Sequence, residues 1–159
     1  MSAILSAALP PVTCAVPTDE DAILSLLRMK HTEDGFGRFN EEKTRMVLRQ
    51  GLERDRAIVG VVRGAKRIEG TTGLYVTSTF DSLDEFISDL WVFVHPDHRR
   101  TDNAKALLDF CKTASDLLGK PLVMARFANE ATSQLVNLYS RRIGKPAGSV
   151  FRYDPAAAA

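Results

Sequence analysis

The stretch from Asp84 to Leu118 constrains this chain more than any other. "DEFISDLWVFVHP" (84–96) is the longest strand candidate, rich in β-branched and aromatic residues, and Pro96 closes it. A polar turn with two adjacent arginines follows. Beyond it, Ala104, Leu107, Leu108, Cys111 and Leu118 recur near helical spacing, Phe110 and Leu117 widen the stripe, and Gly119 then Pro121 end it. A helix with one apolar stripe must lie on a sheet, and the short apolar run after it, "PLVMARF" (121–127), reads as a buried strand. Strand, helix and strand then form a parallel crossover through helix 103–118.

The remaining segments fill in that sheet. "PVTCAVP" (11–17) reads as a first strand, and Thr18 supplies a capping hydroxyl for a helix whose first turn holds Asp19, Glu20 and Asp21 and whose stripe is Ile23, Leu26 and Leu27. "HTEDGFGRF" (31–39) reads as a loop, and "NEEKTRMVLRQGLE" (40–53) as a helix capped by Asn40 and ended near Gly51. "AIVGVVRG" and "GTTGLYVTSTF" are neighbouring strands, "EATSQLVNLYSRRIG" (130–144) is a last helix and "SVFRYD" a last strand. The order is strand, two helices, three strands, helix, strand, helix, strand, which predicts a mixed α/β sheet. One domain over 1–155 accounts for all of it, with 156–159 a disordered tail.

Charge and composition narrow the function classes. A net charge of +1 in 159 residues gives no general basic excess, so nucleic acid is not an expected partner. No apolar run approaches the roughly 18 residues that span a membrane, and the N-terminal run lacks a preceding Lys or Arg and is broken by Pro10 and Pro11, so a cytoplasmic protein is expected. Cys14 and Cys111 have no metal-ligand spacing and read as free thiols. His95 and His98 are three apart, but Pro96 between them forbids a regular helix and no third ligand is near, so no metal is expected.

The turn "HPDHRRTDNAK" joins the long strand to the crossover helix. Such a junction offers unpaired backbone N–H groups and the positive end of a helix dipole, an arrangement that receives phosphate. Arg99, Arg100 and Lys105 add positive charge there, which is unfavourable at a helix N-terminus unless an anion compensates it.

"VHPDHRRTDNAKALL" resembles the acetyl-CoA signature of the Gcn5-related N-acetyltransferase superfamily, in which an apolar strand and a His-Pro-Asp-like turn lead into Arg/Gln-x-x-Gly-x-Gly/Ala at the start of a helix. Arg99 matches the first position and Ala104 the last, while Asp102 stands where glycine is usual. The form "RRTDNA" is also similar to short acetyltransferases of bacteriophages and prophages. The resemblance implies a mixed, mostly antiparallel central sheet with a splayed central strand and helices on both faces. It implies that backbone groups of Val92 and Val94 bond the pantetheine arm and thioester of acetyl-CoA. It further implies that the turn of Arg99, Arg100, Thr101, Asp102, Asn103, Ala104 and Lys105 receives the pyrophosphate, and that Asn129 meets the pantetheine.

The same resemblance implies direct attack of a primary amine, of a small molecule or a protein, on the thioester. Tyr139 corresponds to the tyrosine that protonates the leaving thiolate; a phenol with pKa about 10 is protonated at neutral pH and can supply a thiolate whose conjugate acid lies at about 8.5. A base must deprotonate the amine, and the glutamate many members place on the strand is here Ser88. Asp89 and Glu85 are the nearest carboxylates. On a regular strand both face away from Val92 and Val94, and a bulge between would reverse that. Phe36, Arg38 and Phe39 are candidates to shape the acceptor pocket, and Trp91 reads as core. Two other readings stay open, a catalytically inactive CoA-binding or protein-interaction module, and a toxin-like enzyme acting on aminoacyl-tRNA. Val150, Phe151 and Tyr153 are candidates for pairing across a homodimer.

Overall fold

The structure is a computed structural model that describes residues 10–35, 37–125 and 132–148. Those residues fall into two compact units, one through Ala125 and one beyond it. In the first unit, β1 (Val12–Cys14), β2 (Ala57–Arg63), β3 (Ile68–Ser78), β4 (Glu85–Val94) and β5 (Leu122–Val123) form one sheet in that spatial order. The first four strands are antiparallel and β5 is parallel to β4, so only this last step needs a crossover. That crossover is α3 (Asn103–Leu118), ended by Gly119 in the left-handed region at φ 61°.

Helices cover both faces. α1 (Glu20–Asp34) and α2 (Glu41–Leu52) bury Ile23, Leu26, Leu27 and Leu48 against Val59, Val61, Trp91 and Phe93. On the other face Cys111 and Ala114 of α3 pack with Leu74 and Ile87, joined by the half-buried Phe110. Gly60 is what admits that ring, since a Cβ there would stand 2.7 Å from Phe110 Cε1. This is the mixed, mostly antiparallel sheet with helices on both faces that the element order calls for. In the second unit α4 (Thr132–Arg142) is the one described helix.

β4 departs from regular pleating at one residue. Gly73 of β3 is opposite Trp91, but the next residue, Leu74, is opposite Asp89, so Leu90 is an extra residue in β4. Trp91 lies across Gly73, where a Cβ would stand 2.6 Å from Cη2, and its Nε1 donates to Thr71 Oγ1 at 3.3 Å. The bulge therefore has a packing requirement, a missing side chain under the indole.

Four local expectations need correction. Residues 31–34 are not loop but the last turn of α1, because nothing breaks the helix before Gly35 and Lys30 pairs with Asp34 one turn on at 2.9 Å. Thr18 does not cap α1: Asp19 holds that position, and its carboxylate reaches back to Val16 N (2.8 Å) and across to Arg63 (2.6 and 2.7 Å). Gly51 lies inside α2, packed on Val59, and the helix runs on to Leu52. β5 is only Leu122–Val123 and Val123 is half-exposed, a shorter and wetter strand than a continuous buried run over 121–127. Strand 149–154 and the side chains proposed for a dimer, Val150, Phe151 and Tyr153, lie outside the described residues.

Two measurements check this packing. Gly73→Ala pushes a methyl into the indole and is expected to destabilise by about 1–3 kcal/mol in urea denaturation. Asp19 has its pKa lowered, chiefly by the hydrogen bonds from Arg63 and against the cost of burial. A lowered carboxylate stabilises fully above its unfolded value and loses that stabilisation as pH falls through the folded one. Stability should thus decline as pH drops below about 4, and Asp19→Asn should flatten that decline while costing roughly 1–2 kcal/mol at pH 7.

Candidate functional site

The parallel ladder between β4 and β5 consists of Ile87 with Leu122 and Ser88 with Val123, whereas β4 itself runs on to Val94. Where the ladder ends, Asp89 Oδ1 accepts the Ala125 backbone N–H at 2.9 Å. The bulge at Leu90 follows at once. It brings Asp89 to the same face of the sheet as Val92 and Val94, the reversal that a bulge between them demands, and it turns Trp91 and Phe93 into the opposite core. Glu85 belongs to the Asp89 side of the strand but is held by Arg56 and by Lys120, the latter at 2.9 Å. Those hydrogen bonds, Arg56 first, hold its pKa down at about 2. A carboxylate so far below neutrality is a poor proton acceptor.

After Val94 the chain makes one 3₁₀ turn, Pro96–His98, and enters α3. The two arginines between them have different tasks. Arg99 donates from Nε to the Val94 carbonyl (3.3 Å) and from Nη2 to Glu33 of α1 (2.5 and 2.7 Å), with its guanidinium 5.4 Å from the Phe93 ring centroid. It is a strut from the end of β4 to the end of α1. Arg100 is exposed and forms no ion pair with any described residue.

The turn itself is ordered by its own polar groups. The His98 carbonyl accepts the Thr101 hydroxyl at 2.6 Å, and that hydroxyl accepts Asn103 N–H at 3.3 Å. Asn103 is buried and donates to Glu69 at 2.9 Å, so its side chain fastens α3 to β3. Asp102 has φ −82° and ψ 9°, a backbone conformation open to any residue, so its presence where glycine is usual imposes no strain. Its carboxylate pairs with Lys105, and its carbonyl accepts Ala106 N–H at 3.0 Å. The first-turn amides of Ala104 and Lys105 have no carbonyl one turn behind them within the helix, which is the usual condition for receiving an anion.

On the opposite face of β4 a cavity of about 330 Å³ lies between α1, the loop after it and α2, with Leu90 and Trp91 in its lining. Arg38 and Phe39 line it, as the sequence anticipates; Phe36 lies outside the described residues. Lys30, His31 and Lys43 are liners that sequence reasoning missed, because their lining role depends on the extra turn of α1 and on how α2 packs. His31 stacks edge-on against Phe39 at 5.3 Å and its Nε2 lies 3.1 Å from the Gly37 carbonyl.

Tyr139 is half-buried on α4, its carbonyl accepting Ile143 N–H at 2.7 Å, and Asn129 lies outside the described residues. His95 and His98 are tied to protein groups, His95 Nε2 to Arg67 (3.0 Å) and His98 Nδ1 to Glu69 (3.4 Å). No group of three or more His, Cys, Asp or Glu among the described residues could hold a metal ion, and no described helix is long and apolar enough to cross a membrane. Cys14 and Cys111 are free thiols.

No family model and no curated protein sequence matches the chain. Solved structures do match its fold. A Gcn5-related (GNAT) family acetyltransferase from Staphylococcus aureus is 16% identical, with 92% of this chain and 99% of that one covered and a TM-score of 0.64. An aminoglycoside 6'-N-acetyltransferase from Acinetobacter haemolyticus is 11% identical at TM-score 0.70, covering 91% and 97%. A ribosomal-protein-alanine N-acetyltransferase from Brucella melitensis is 16% identical at TM-score 0.67, covering 91% and 99%. The fold is therefore that of the Gcn5-related N-acetyltransferases, over nearly the whole length of both chains.

The division of labour between the arginines has a direct check. Arg99→Ala removes a strut whose exposed ion pair and ring contact together contribute about 1 kcal/mol, and should lower Tm by about 2–4 °C. Arg100→Ala should leave Tm within about 1 °C, since a surface change that breaks no contact is nearly neutral.

Proposed function

We propose that this protein is an acetyl-CoA-dependent N-acetyltransferase. One observation carries the reading. β4 is bulged at Leu90, its ladder with β5 stops at Ser88 and Val123, and it then delivers the chain to a helix amino end whose first-turn amides and adjacent Arg100 are suited to a pyrophosphate. The residues fit such a ligand: Asp102 needs no special backbone angle and its charge is already matched by Lys105. Backbone groups of Val92 and Val94 would hold the pantetheine arm in the manner of an added strand, Arg100 and the turn from Thr101 to Lys105 would hold the phosphates, and Asn129 would meet the arm. Arg99 acts behind that turn, fixing it to α1.

When bound, acetyl-CoA supplies an acyl carbon with a thiolate leaving group: the amine nitrogen bonds that carbon as the C–S bond breaks, one proton leaves nitrogen and one reaches sulfur. Tyr139 is the phenol assigned to protonate the sulfur. Of the two carboxylates on β4, Asp89 is assigned the amine's proton. It stands at the bulge, whereas Glu85 is committed to Arg56 and Lys120. The cavity beside Leu90 and Trp91 receives the acceptor, with Phe39 as its aromatic wall.

The test is calorimetric titration with acetyl-CoA, followed by an assay of CoA release with primary amines. Wild type should bind, and Arg100→Glu should weaken binding by about tenfold or more while keeping its Tm. Tyr139→Phe should keep binding and lower kcat by about 100-fold. Asp89→Asn retains an oxygen for Ala125 N–H, so it should fold normally and lose the rise of rate with pH. Failure of wild type to bind at millimolar acetyl-CoA would overturn the enzyme reading in favour of an interaction module built on this fold.

A further inference from the structure

The cavity between α1 and α2 has a charge imbalance that bears on what it accepts, and the inference from it rests on the acetyltransferase reading above. Its titratable lining is Lys30, His31, Asp34, Arg38 and Lys43. The single carboxylate, Asp34, is already held by Lys30 at 2.9 and 3.1 Å. His31 is engaged with the Gly37 carbonyl and the Phe39 ring. The nearest charged neighbours outside the lining cancel as well, Arg28 lying over Phe39 and pairing with Glu41 at 2.5 Å. What remains is Arg38 and Lys43, two cations on different elements, neither of which forms an ion pair with any described residue. The rest of the lining is apolar or neutral, including Leu27, Val47, Leu90 and Trp91.

We infer that the acceptor is a primary amine that also carries an anionic group, a carboxylate in the first instance, held by Arg38 and Lys43 while its amine faces the bulge of β4 and its apolar part lies on Leu90 and Trp91. An Arg guanidinium and a Lys ammonium facing one cavity from two elements form a receptor for a single carboxylate or phosphate. The same pair repels a polycation. The amine end needs no opposite charge, because it reacts as the free base. A free amino acid or a similar zwitterion fits this arrangement, and an aminoglycoside does not.

The experiment uses matched amines differing only in the anion. CoA release from acetyl-CoA is measured with phenylalanine and phenylalanine amide, with O-phosphoethanolamine and ethanolamine, and with an aminoglycoside, in wild type and in Arg38→Ala/Lys43→Ala. The expected result is a kcat/KM at least about fivefold higher for the acid of a pair, carried by KM, and abolished in the double variant with acetyl-CoA binding unchanged. Preference for phenylalanine over O-phosphoethanolamine tells carboxylate from phosphate, and either supports the inference. Equal rates within each pair, or preference for the amides or the aminoglycoside, overturn it while leaving the acetyltransferase reading intact. If acetyl-CoA binds but no amine turns over, calorimetry of phenylalanine against its amide on the CoA-loaded protein decides: tighter acid binding lost in the double variant supports the inference, and equal binding overturns it. Absence of acetyl-CoA binding instead removes the enzyme reading itself.

Discussion

One extra residue in β4 organises this molecule. Without Leu90, the alternation of a regular strand would put Asp89 on the face of Trp91 and Phe93, and either a carboxylate would enter the α1/α2 core or two large aromatics would leave it. Both are costly, since a buried carboxylate without a partner and an exposed indole each forfeit several kcal/mol. The bulge resolves the conflict locally. Ile87 stays under α3 before it, the aromatics enter the other core after it, and the strand bends at the point where β5 parts from it. Gly73 on β3 is the counterpart that makes room for the displaced indole.

The two faces of β4 thereby acquire separate roles. Toward α3 the strand feeds a turn and a helix amino end adapted to an anion; toward α1 and α2 it floors a cavity with an aromatic wall and a cationic lining. The struts that keep this geometry lie outside both sites. Arg99 binds the end of β4 to α1, and Asn103 binds the start of α3 to Glu69 on β3. Polar residues inside a signature stretch are thus divided between building the turn and serving a ligand. Only the contacts reveal which is which, because Arg99 and Arg100 are chemically identical and adjacent.

Much of the fold was legible in the sequence where a periodic pattern and a chain terminator coincide. α3 is bounded by its stripe and by Gly119, α2 by Asn40, whose side chain does accept Lys43 N–H at 2.9 Å, and β2 to β4 by β-branched runs within a few residues of their observed ends. Errors fall where the deciding partner is remote in sequence. Asp19 rather than Thr18 stands at the start of α1 because Arg63, far along the chain, claims its carboxylate. β5 is shorter than its apolar run because Ala125 bonds the Asp89 side chain instead of continuing the ladder.

By itself the sequence determined the order of elements, the crossover through α3 and the anion-receiving character of the turn, since each rests on spacing between neighbours or on a residue type at a helix end. Tertiary structure alone decided that Leu90 is the bulged residue, that Glu85 is spent on two cations, and that Lys30, Arg38 and Lys43 converge on one cavity. The reason is physical. Periodicity and capping are short-range properties of a chain, whereas register, ion pairing and cavity lining are set by which residues distant in sequence meet, and several pairings satisfy the same local pattern until the core is packed.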